Sequence, residues 1–91
     1  MHLTEEQLSQ VEEMAYRLIT PGLIAINIEV DEDEFTDALS NPGNEIRIAY
    51  YKGLIRQESD LRDSIIKAAH NGSNPAQEQL LKMINKLIST I

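Results

Sequence analysis

Residues 24–39 read Ile-Ala-Ile-Asn-Ile-Glu-Val-Asp-Glu-Asp-Glu-Phe-Thr-Asp-Ala-Leu. Apolar groups fall at Ile24, Ile28, Val30, Phe35 and Leu39, with small Ala25 among them. This is the spacing of two short helices that meet through a tight turn. Ala25 lets the helices approach closely, Ile28 and Val30 plug the turn, and Phe35 and Leu39 anchor the second helix from below. In a helix-turn-helix the first helix supports a second that enters the major groove of DNA. The polar residues of the same stretch point elsewhere. Asp31, Glu32, Asp33, Glu34 and Asp37 crowd the second helix, which has no Lys or Arg, and Glu29 stands at a turn position that is usually glycine. Neutralising phosphate and gripping guanine both need cations. The apolar skeleton predicts the shape, while the charges predict a helix that avoids phosphate. A capped helical corner that merely packs is the plainer alternative.

The flanks of this stretch set the helix boundaries. Asp31 with Glu34 three residues on reads as a capping box, and acids in a first turn complement the helix dipole. That accounts for the run 31–34 better than a calcium loop, which needs a loop glycine and a distant bidentate Glu. Thr20-Pro21 opens the preceding helix, about 21–27, with Thr20 as cap and Pro21 at the first helical position. Pro21-Gly22 before and Asp31 after make helix and turn a better fit to Ile24–Val30 than a strand. Further upstream, Thr4 and Gln7 form another capping box. It opens a helix at about 4–19 with Leu8, Val11, Met14, Ala15, Leu18 and Ile19 on one face.

Downstream, Asn41-Pro42-Gly43-Asn44 stops the third helix, about 32–40. From Glu45, Ile46, Ala49, Tyr50 and Leu54 line one side of a fourth. It stops near Gln57, with Ser59 capping a new helix, or runs on through Leu61, Ile65, Ile66 and Ala69 to Asn71; spacing leaves both open. Gly53 costs about 1 kcal/mol against Ala in a helix interior, and so marks a close helix crossing or a bend. Asn71-Gly72 ends this segment. Ser73-Asn74-Pro75 starts the last helix, about 75–90, with the stripe Ala76, Leu80, Leu81, Met83, Ile84, Leu87 and Ile88. The pattern predicts an all-α chain, one small orthogonal domain over residues 1–91 with about five helices. A helix-turn-helix-like pair lies at about 20–40, and a C-terminal helical hairpin lies within about 44–90.

Composition narrows the function. Hydrophobic residues make up 42 % of 91 residues, a globular proportion, with only Phe35, Tyr16, Tyr50 and Tyr51 aromatic. Such a core on short helices is marginal alone, and oligomerisation is a common remedy at this size. There is no cysteine, which removes disulfides, thiolate zinc sites and a cysteine nucleophile. The polar start from Met1 to Gln10 has no signal-peptide character. The apolar run Leu23–Ile26 is far too short to cross a bilayer. The net charge of −7 is uneven: residues 1–45 hold eleven acids and one base, residues 46–91 four acids and seven bases. Any nucleic-acid contact is therefore expected to involve the C-terminal half, or a surface concentrated by assembly.

Ala49-Tyr50-Tyr51-Lys52-Gly53, then Glu58 and Leu61-Arg62, then Ala68-Ala69-His70-Asn71-Gly72-Ser73-Asn74-Pro75-Ala76 resembles the C-terminal part of bacteriophage terminase small subunits and related phage helix-turn-helix proteins. The likeness covers about residues 20–82. It implies an oligomer in the cytoplasm of a bacterial host that recognises viral, double-stranded DNA for packaging and passes it to a large terminase ATPase subunit.

Other candidate residues follow from position. Lys52 and Arg56 lie four apart on one helical face, and Arg62 continues it, a possible phosphate stripe. Pairing of Arg56, Arg62 and Lys67 with Glu58, Asp60 or Asp63 is the competing and favoured explanation. Lys82 and Lys86 suit the C-terminal end of the last helix dipole. Adjacent Tyr50 and Tyr51 point about a hundred degrees apart and make no single stacking platform; Tyr50 suits the core and Tyr51 an edge. Tyr51, Met83, Leu87 and Ile88 are the candidate interface. His2 and His70 lack partners for a triad or a metal pair, and there is no Gly-rich phosphate loop. The sequence predicts no enzyme, cofactor, metal or membrane association. The alternative to a DNA-packaging oligomer is a protein-interaction module whose acidic second helix meets a basic protein partner.

Overall fold

A computed structural model describes all 91 residues and contains five α-helices and no strand. They are α1 (Glu5–Tyr16), α2 (Pro21–Asn27), α3 (Glu32–Leu39), α4 (Glu45–His70) and α5 (Asn74–Thr90). None is long and apolar enough to cross a membrane. The question left open at Gln57 is settled: α4 is one helix of 26 residues. The chain forms two compact units, Met1–Gln57 and Glu58–Ile91.

In the first unit both arms of the Thr4 capping box form. The Gln7 amide donates to Thr4 Oγ1 at 3.1 Å and the Thr4 amide to Gln7 Oε1 at 2.9 Å. The same Gln7 side chain donates to the Ile28 carbonyl at 3.3 Å, tying the start of α1 to the end of α2. At α3 only one arm forms: Asp31 Oδ2 accepts from the Glu34 amide at 3.0 Å. Thr20 holds the cap position of α2 but makes no side-chain cap bond. Asn44 caps α4 by accepting from the Ile46 amide at 2.8 Å.

α1 is shorter than the 4–19 expected because Leu18 turns left-handed, with φ 64°. The Ile19 amide then donates back to the Met14 carbonyl at 3.1 Å. α2 ends in the same way. Glu29 has φ 61° and the Val30 amide donates to the Ala25 carbonyl at 3.0 Å. This six-to-one bond is the Schellman closure that normally takes glycine, since an L side chain there costs about 1–2 kcal/mol. The turn between α2 and α3 takes this left-handed conformation without a glycine.

Val11, Ile24, Ala25, Phe35 and Ile46 are fully buried and form the centre of the core. Ile28 joins them, while Val30 and Leu39 pack against the cluster half-buried. Four of the six expected skeleton residues of the α2–α3 corner, Ile24, Ala25, Ile28 and Phe35, therefore lie in the core, and Val30 and Leu39 pack against it. Gly53 marks a close crossing of α1 and α4, with α4 unbroken. A Cβ there would overlap the Glu12 carbonyl oxygen and lie 2.7 Å from Ala15 Cβ and 2.9 Å from the Tyr16 nitrogen.

The second unit is a hairpin of the last turns of α4 and all of α5. Gly72, at φ 97°, closes α4 with a bond from the Ser73 amide to the Ala68 carbonyl at 3.0 Å. Ser73 Oγ then caps α5 through the Ala76 amide, and the Gln77 side chain donates to the Ala69 carbonyl at 3.0 Å. Ala69 is the one buried residue of this unit; α5 has none.

Two substitutions test these points. Gly53→Ala pushes a methyl group into backbone that no rotamer change relieves. Its overpacking cost of about 1–3 kcal/mol is expected to outweigh the roughly 1 kcal/mol gained in helix propensity, lowering the urea midpoint. Glu29→Gly is expected to be neutral or stabilising and Glu29→Val destabilising, a gap of about 1 kcal/mol or more that chemical denaturation of both variants measures.

Candidate functional site

Three surfaces carry the residues singled out from sequence. The first is α3. Glu32, Asp33, Glu34 and Asp37 are exposed and none takes part in an ion pair. Helix burial explains the arrangement: Phe35 and Ala38 face the core, which leaves the acids on the outer side. The Arg47 guanidinium donates to the last carbonyl of α3, Leu39, at 2.6 Å and stacks over the Tyr51 ring at 4.7 Å. Tyr51 lies four residues on along the same helix, whereas the bond to Leu39 had no local signal, because only the α3–α4 packing brings those two together. The α3 face is anionic and suited to a cationic partner rather than to phosphate.

The second is the stripe of Lys52, Arg56 and Arg62. Arg56 donates to Glu12 at 2.8 Å and Glu13 at 2.9 Å, both on α1, and its guanidinium lies 4.7 Å over the Tyr16 ring. Hydrogen bonds to Glu13 first, then Glu12, hold its pKa above the ordinary arginine value. Pairing of Arg56 was expected with acids on its own helix; the close crossing at Gly53 supplies α1 acids instead. Next to it, the Gln57 side chain donates to the Tyr16 carbonyl at 2.8 Å. Arg62 pairs with Glu58 one turn back at 2.7 Å. Lys52 alone of the three has no ion pair. It lines an open groove of about 340 Å³ between α1 and α4, beside Glu12, Glu45, Leu8 and Ile48. The three cations therefore do not form a free phosphate stripe: carboxylates already occupy two of them.

The third is the hairpin of the second unit. A groove of about 440 Å³ opens there, lined by Ile66, Leu80, Met83, Ile84 and Leu87, with Arg62 and Lys86 among the polar groups. Of the interface candidates, Leu87 (62 % exposed) and Ile88 (63 %) are open and Met83 is half-buried. Tyr51 is exposed in the first unit, edge-on to Tyr50 with ring centres 5.8 Å apart and planes at 85°, which is no stacking platform. No three His, Asp or Glu side chains converge as a metal site. His2 lies at the surface, 3.8 Å from Glu45.

Comparison with known protein families, characterised proteins and solved structures finds no match to this chain.

Replacing Arg56 with Met removes both ion pairs and the ring contact at an exposed site. The thermal midpoint is expected to fall slightly at low salt. The gap from the parent should narrow near 1 M salt, where the screening length is about 3 Å; thermal circular dichroism at both salts reads it.

Proposed function

We propose that this chain is a non-catalytic helical assembly protein of the phage terminase small-subunit kind, working as a homo-oligomer in the host cytoplasm. One observation supports the reading above others: α5 is an amphipathic helix of 17 residues without a buried side chain. A 34-residue hairpin cannot hold itself together on one buried alanine, and such small units usually gain their core from another chain. The resemblance at 49–53 and 68–76 supplies the class. In this reading, double-stranded DNA meets cations outside α3, with Lys52 foremost and Arg56 and Arg62 contributing only by exchanging carboxylate for phosphate. A large terminase ATPase subunit is the onward partner.

A second reading draws on the unpaired acids of α3. As a protein-interaction module, the corner presents Glu32, Asp33 and Asp37 to a basic protein and binds no DNA.

Light scattering combined with DNA binding at low and physiological salt tests the first reading. An oligomer with salt-sensitive DNA affinity is expected; a strict monomer with no affinity at low salt overturns it. Glu32→Lys with Asp33→Lys separates the two readings. The pair of changes leaves DNA affinity unchanged or raised in the first and abolishes partner binding in the second.

A further inference from the structure

α2 leaves an apolar ridge uncovered, and the acids beside it meet no cation. Leu23 (58 % exposed) and Ile26 (66 %) stand three residues apart on its outer side. Gly22 lies one turn before Ile26 on the same row. The Glu32 carboxylate of α3 lies against it, where a Cβ would meet Oε1 at 2.5 Å. Glu29 follows Ile26 in the left-handed turn and is exposed. Neither carboxylate is in an ion pair. Residues 18–46 hold seven acids and no Lys, Arg or His.

Helix dipoles account for part of this charge. Glu32, Asp33 and Glu34 occupy the first turn of α3, where negative charge is favourable. Glu29 and Asp37 do not fit that account. Glu29 stands just past the end of α2 and Asp37 in the last turn of α3, both at helix ends that favour a cation. The Arg47 guanidinium serves the end of α3 through the Leu39 carbonyl. The end of α2 has no basic residue in its last turn, and the side chain that reaches it, Gln7 at the Ile28 carbonyl, is neutral. Glu29 also holds a conformation that glycine takes without strain. Its carboxylate gives the fold no stability there; it places negative charge next to Ile26.

We infer that the Leu23–Ile26 ridge docks a cationic amphipathic helix of another protein. Apolar side chains of that helix straddle the ridge, and its Lys or Arg side chains meet Glu29 and Glu32. The inference rests on the protein-interaction reading of the corner and moves its centre from the outer acids of α3 to α2. A helix suits the ridge because side chains three and four apart on its surface form grooves that take a ridge of the same spacing. Charge selects the partner. Opposite charges around an apolar centre speed encounter and suppress wrong partners. A second copy of the corner would set acid against acid, and the same carboxylates repel phosphate.

A pair of synthetic peptides tests it. The probe is a dye-labelled peptide of about 18 residues, long enough to form a helix, made of Leu and Lys with every Leu on one helical stripe. The second peptide has the same composition in an order without a stripe, so it keeps the charge and loses the apolar face. Fluorescence anisotropy against the full chain reads both affinities. The striped peptide is expected to bind about tenfold or more tightly than the other. Leu23→Ser with Ile26→Ser is expected to remove that margin. Glu29→Gly, which costs the fold nothing, is expected to weaken binding about two- to fivefold. Ile84→Ser with Ile88→Ser, at the exposed apolar positions of α5, is expected to leave affinity unchanged. Circular dichroism checks that each variant stays helical. Binding that survives the loss of Leu23 and Ile26 but not Glu32→Lys with Asp33→Lys overturns the inference and leaves the acidic face of α3 as the interaction surface. Binding lost in the α5 variant overturns it too. A chain that binds neither peptide overturns both the inference and the reading beneath it.

Discussion

The approach of α1 to α4 at Gly53 governs the first unit. With only a hydrogen where a side chain would stand, the α4 backbone lies against Glu12, Ala15 and Tyr16. That contact fixes what the next turn of α4 can reach. Arg56 arrives at Glu12 and Glu13, and Gln57 arrives at the C-terminal end of α1, where it donates to the Tyr16 carbonyl. An unpaired carbonyl at a helix end would otherwise depend on water or on a longer cap. The same crossing thus turns a candidate phosphate ligand into an interhelical clamp. The contact is exposed, so its contribution is to orientation more than to stability.

The corner of α2 and α3 holds its shape through burial rather than through favourable turn residues. Glu29 at this corner, like Leu18 in the turn before α2, occupies a backbone conformation that suits glycine. Ile24, Ala25, Ile28 and Phe35 of the corner are buried, and packing of that kind outweighs about 1–2 kcal/mol of local strain at Glu29. The outer face is then free to carry any charge, and it carries acid. A helix-turn-helix shape and a DNA-reading surface are separable properties, since the first is set by the buried side and the second by the exposed side.

The second unit shows the reverse balance. Its turn chemistry is favourable, with glycine at the left-handed position and serine at the cap, yet its packing is thin. Local signals there specify a hairpin whose apolar surface exceeds what two helices can cover. This surplus underlies the assembly proposed for the protein.

Much of the fold was legible because it depends on local chemistry. Thr4-Gln7, Pro21, Asp31, Asn44, Gly72 and Ser73 act within a few residues of themselves, so the order of the helices and most of their ends follow from the chain directly. The skeleton of Ile24, Ala25, Ile28, Phe35 and Leu39 was readable from period and side-chain size. Gly53 announced a crossing or a bend without naming the partner. Tertiary structure decided the rest. It kept α4 continuous past Gln57 where the apolar stripe alone was ambiguous. It ended α1 at Tyr16 through a leucine that no turn rule selects. It gave Arg56 to α1 carboxylates some forty residues away and Arg47 to the end of α3. Helix ends and buried faces are set by neighbours along the chain, whereas the charge left on a surface depends on which distant groups the packing brings to it.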